Sequence, residues 1–151
     1  MKQIELPDST PEIIRKYGDN DEQALLAVVR YNRLIDIFLG VTAWSLQNHL
    51  RSTVKGIGQI EIDELYVGID ADGLHHVIPV QAKGGFDQIS VVQTKQDIEW
   101  CKKRFPDLRS RAVSVQFIEP GLVAMFELEL QGNEVKLAQE RRYNLVQMLP
   151  K

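Results

Sequence analysis

A single cysteine, Cys101, excludes an internal disulfide and a cysteine-rich zinc site. No apolar run reaches the roughly 18 residues that a membrane-spanning helix needs. The opening MKQIELPDSTPE lacks the apolar block of a signal peptide, so a cytoplasmic protein with no membrane contact is expected. A basic excess is missing too: 18 Lys and Arg face 21 Asp and Glu, for a net charge of −3. That disfavours a protein that coats nucleic acid through bulk charge, but not an enzyme with a local basic surface. Internal repeats, low-complexity tracts and linkers are absent.

What is present suits one globular domain. A chain of 151 residues, 44% hydrophobic and 26% charged, can bury a real core. The stretch DSTPEIIRKYG predicts a short helix, with Ser9 or Thr10 as N-cap, Pro11 at its first position and Gly18 as its stop. A long helix follows, capped by Asp19 to Asp21 and ending near Gly40, with Leu25, Val28, Ile35 and Leu39 as its apolar stripe. TAWSLQNHLRSTV reads as a third helix with Trp44 and Leu50 turned inward, broken by KGIGQ. Two strands, about Gln59 to Ile69 and His75 to Lys83, form a hairpin around Asp72-Gly73. A helix from about Asp87 to Phe105 carries Val91, Ile98, Cys101 and Phe105 on one side. RAVSVQFI and LVAMFELEL are further strands, and VKLAQERRYNLVQML reads as strand then helix. The expected class is mixed α/β, a central sheet with an antiparallel hairpin flanked by helices.

The hairpin brings polar residues together. With Asp72-Gly73 as a two-residue loop, Glu64 falls opposite Gln81 and one face becomes almost uniformly apolar. With a three-residue loop, Asp63 takes that place instead. Opposed Cβ atoms lie about 4.5–5.5 Å apart, so the acid, Gln81 and Lys83 should share one small area. A carboxylate and an amide carbonyl are hard oxygen ligands suited to Mg²⁺. A nearby ammonium can orient a metal-bound water or neutralise charge on a phosphate. Other polar groups read more plainly. His75 and His76 point to opposite strand faces, Asp70-Ala-Asp72-Gly is a turn, and Cys101 is a core thiol.

An acid on one strand, a turn, then Gln81-Ala82-Lys83 at the end of the next strand, with a helix behind, resembles the PD-(D/E)XK nuclease superfamily of restriction-endonuclease-like fold. The likeness spans roughly Asp21 to Glu129 and is nearest to small bacterial endonuclease-like proteins. It implies a core of a helix, an antiparallel three-stranded meander, a second helix and a further strand. It implies one nuclease-like domain, residues 1–151, with a helical part from about Ser9 to Val54 and a catalytic core from about Ile57 to Leu130. Glu64, or Asp63, stands at the metal-binding aspartate, and Gln81 and Lys83 stand in the tripeptide. Glu22 stands at the helix carboxylate that many members carry. Gln93 stands on the second helix where some members place a glutamine near the site, with Lys95 beside it as a further substrate contact; Asp97 is one turn on, on the same helix face. Two departures are plain: no proline precedes the acid, and the neutral Gln81 replaces an acid, which implies weaker metal binding. The function implied is Mg²⁺-dependent cleavage of DNA, with Mn²⁺ as substitute and a separate recognition domain or a second copy as partner. The alternatives are a binding module of the same fold whose site has decayed at Gln81, and a carboxylate-pair hydrolase using Glu61 or Glu64 with another acid.

Overall fold

The computed structural model describes residues 3–17, 22–56, 58–85 and 89–147. Its elements are β1 (Gln3–Pro7), α1 (Glu12–Tyr17), α2 (Glu22–Tyr31), α3 (Leu34–Leu39), β2 (Thr42–Val54), β3 (Gly58–Ile69), β4 (His75–Gly84), α4 (Val91–Arg104), β5 (Arg109–Ser110), β6 (Ala112–Glu119), β7 (Leu122–Gln131) and β8 (Glu134–Val146). The strands form one mixed sheet in the order β1-β8-β7-β6-β4-β3-β2, with β5 pairing β4. The mixed α/β class is as expected. Among the described residues no helix is long and apolar enough to cross a membrane.

Strands β2, β3 and β4 form an antiparallel meander. β4 and β6 run parallel, which requires a crossover, and α4 is that crossover. α2 and α3 pack Val29, Leu34, Ile35 and Phe38 onto Tyr66, Ile78, Val80 and Val115. Cys101 of α4 packs with Leu65 and Val77, which lie on the other face of β3 and β4. The central strands are thus covered on both sides, and β4 is buried along most of its length.

Four expectations need correction. TAWSLQNHLRSTV is not a helix but the edge strand β2, and Trp44 is exposed. Its period of two is hidden by a register shift between Ser45 and Gln47 and by a left-handed backbone at His49. The long helix is broken into α2 and α3 at Asn32-Arg33, where Arg33 is left-handed with φ +53°. Buried Asn32 holds the break by donating to Thr10 Oγ1 and Val28 O and accepting from Ser9 N. The final segment is one strand rather than strand then helix, and β1, lying parallel to it, was not expected. Lastly, of the two hairpin registers the structure takes the longer-loop alternative, the one that favours Asp63 over Glu64. Ile69 pairs with His75 and Glu64 with Val80, not with Gln81. The loop is longer because Asp70 Oδ1 accepts from both Asp72 N and Leu74 N, while Gly73 takes φ +80°. The helix stop at Gly18, the caps at Asp19 to Asp21, and Asp87 lie outside the described residues.

Candidate active site

The β3–β4 ladder runs to Glu64 and Val80. Beyond it the Asp63 side chain stands in for the backbone: its Oδ2 accepts from Ala82 N at 2.8 Å. Asp63 is thereby held against the Gln81-Ala82-Lys83 segment. Glu22, in the first turn of α2, meets it from the helix layer. The Glu22 carboxyl is raised from 4.5 to about 7, first by a hydrogen bond with the Asp63 carboxyl, then by burial and by the Asp63 charge, with Lys83 acting the other way. Glu22 therefore keeps its proton to near neutrality.

Gln81 is 5% exposed, and its Nε2 donates to Asp97 Oδ2 at 3.1 Å. Its Oε1 is buried without a hydrogen-bond partner. Gln93 Nε2 donates to Asp97 Oδ1 at 2.7 Å and to the Glu61 carbonyl at 3.0 Å. Asp97 itself is 1% exposed and rises from 3.8 to about 7, chiefly through burial, helped by the charges of Asp63 and Glu61 and opposed by the two amide donors. Lys83 lines a cleft of about 850 Å³ together with Glu22, Leu25, Phe117 and Arg15. Arg15 is ion-paired to Asp8 at 3.3 Å.

The structure therefore brings together Glu22, Asp63, Gln81, Lys83 and Gln93. It does not bring Glu64 to them. Glu64 is fully buried on the α2 side, with Arg30 Nε 3.0 and 3.3 Å from its two oxygens. Lys95 is half-buried on α4. Asp97 was visible in sequence only as a helix neighbour of Gln93; the link to Gln81 across 16 positions needed the fold. Among the described residues no three His, Cys, Asp or Glu side chains converge as a metal cage.

Asp97 gives a pH prediction. Its folded pKa lies above the ordinary value, so its contribution to stability is full below pH 3.8 and is lost as the pH rises through about 7. In EDTA, the melting temperature of the wild type should fall between pH 5 and pH 8 through this group. In Asp97→Asn that fall should be smaller, since an amide does not titrate and leaves no charge to bury as the pH rises. Parallel melting curves against pH for the two proteins would contradict the buried-charge account.

No family model matches the chain, and no solved structure matches it. A stretch of 80 residues is 36% identical to the N-acetyl-D-glucosamine kinase of Erwinia tasmaniensis; it covers 53% of this chain and 26% of that protein. The chain thus spans about a quarter of the length of the curated relative it matches.

Proposed function

We propose that this protein is a divalent-metal-dependent nuclease that cleaves phosphodiester bonds in DNA, on a restriction-endonuclease-like core. One observation carries the reading: Glu22 and Lys83 line one open cleft, and the Glu22 carboxyl is hydrogen-bonded to that of Asp63. Like charges are gathered this way at sites that take a cation. The element order supports it. Helices α2 and α3, the meander β2-β3-β4, helix α4 and the parallel strand β6 follow the sequence expected of the PD-(D/E)XK group.

The residues suit Mg²⁺ or Mn²⁺. Two carboxylates and the unpartnered Gln81 Oε1 are hard oxygen donors, and Mg²⁺ commonly takes one or two carboxylates and keeps several waters. When bound, the ion would neutralise phosphate charge and activate a water. Asp63 is oriented by the Ala82 N–H. Asp97 and Gln93 fix the Gln81 amide so that its oxygen is left free. Lys83 faces the cleft where a phosphate enters, and its ammonium would stabilise charge growing on the phosphoryl oxygens.

Incubation of the purified protein with supercoiled plasmid, with and without Mn²⁺, tests this. Nicking should require the metal and disappear in Asp63→Ala, while Glu64→Gln should keep it. Metal-free nicking, or full activity of Asp63→Ala, would reject the site. DNA binding without any cutting would replace the nuclease with a decayed binding module. The partial likeness to a sugar kinase motivates one further arm. ATP consumption dependent on N-acetyl-D-glucosamine, without nicking, would move the chemistry to phosphoryl transfer.

A further inference from the structure

We propose that His49 is a further substrate-contacting residue of this site, its imidazole donating to a phosphate of the bound DNA strand. The inference rests on the nuclease reading. His49 lies in β2 between Asn48, opposite Glu64, and Leu50, opposite Ile62, which puts it level with Asp63. Its Nε2 contacts the side-chain amide of Gln23, the residue after Glu22. The strand beside Asp63 and the helix that carries Glu22 therefore meet at this ring.

The backbone adds a second line. His49 has φ +50°, a left-handed conformation that non-glycine residues seldom adopt. Glycine would hold it with less strain. The ring is exposed, so core packing does not account for a histidine there. Strain of this kind gathers at sites where a side chain has work to do.

Charge supplies the role. Glu22, Asp63 and Asp97 gather at the site, and beyond the metal a phosphodiester strand arriving there meets few cations besides Lys83. Arg51, two residues further along β2, sits on the same strand but is engaged with Glu61 at 3.2 Å. With Nε2 accepting from the Gln23 amide, the imidazole Nδ1–H is left as a donor that is not tied to an acid.

The test uses His49→Gly and His49→Asn, both compatible with a left-handed backbone. Both should melt no lower than wild type, and His49→Gly should melt higher. Both should nick plasmid in Mn²⁺ about tenfold more slowly, the effect of losing one hydrogen bond to a charged group. In Ca²⁺, binding of a short fluorescent DNA duplex should weaken by about the same factor. Nicking and affinity equal to wild type in either variant, at equal or higher melting temperature, would overturn the proposal. If the wild type binds the duplex but never cuts, the nuclease reading falls. The affinity loss alone then decides His49: tenfold weaker binding supports it, equal binding overturns it. If the wild type binds no DNA, both fall.

Discussion

Replacing Lys83 with alanine is expected to lower Mg²⁺-dependent nicking by at least about 100-fold, the lower range for losing a positioned acid–base or charge-stabilising group. Position is the reason. Lys83 follows Gln81 by two residues on a strand that β6 pairs through Gln116, while the Asp63 carboxylate holds the preceding Ala82 N–H from the β3 side. Its charge reaches the Glu22 carboxyl, and its side chain lines the cleft. Arg15, the other cation on that lining, is occupied by Asp8. Folding should be nearly unchanged, because a half-buried lysine at a strand end adds little to a core. The duplex should still bind in Ca²⁺, weakened by no more than about the tenfold that one phosphate contact contributes, so the loss of nicking exceeds the loss of binding. Lys136→Ala is the control: it pairs with Glu134 at the β7–β8 turn and should cut normally. Wild-type nicking by Lys83→Ala, at equal melting temperature, would remove Lys83 from the chemistry.

Much of this arrangement was legible in the sequence because it is written locally. Gln81-Ala82-Lys83 ends an apolar strand that begins beyond a strong turn signal, and both strands lie where their composition puts them. What failed was register and edge. A two-residue loop at Asp72-Gly73 is the default, yet the Asp70 carboxylate captures two amides and lengthens the loop. That one step moves Glu64 from beside Gln81 to beside Val80 and leaves Asp63 against Ala82. Strand β2 was misread for a related reason. Its apolar residues keep no single period, because the bulge near Leu46 and the left-handed His49 each reset the alternation. Only pairing with β3 fixes it as a strand. Asp97 was hidden differently: its amide partners come from its own helix and from β4, and helix spacing reveals the first alone.

The displaced Glu64 yields the second large effect, on stability. Arg30→Ala should destabilise the protein by about 3 kcal/mol, the lower end for removing one partner of a buried ion pair. The lower end applies because the Arg30 side chain is 37% exposed, whereas Glu64 is fully buried. For a domain of this size that corresponds to a fall in melting temperature of roughly 6–12 °C. The loss comes from stranding a carboxylate between α2 and the sheet. Adding Glu64→Gln to Arg30→Ala should therefore recover a good part of it, because the buried charge is gone. Calorimetry on the two single variants and the double variant measures this coupling directly. A double variant that melts no higher than Arg30→Ala alone would show that the charge is not what Arg30 offsets. The same proteins separate structure from chemistry. Glu64→Gln should retain metal-dependent nicking near the wild-type rate, because the carboxylate lies on the far side of β3 from Asp97 and Gln93. Loss of nicking in a stable Glu64→Gln would return the metal-binding role to Glu64 and take it from Asp63.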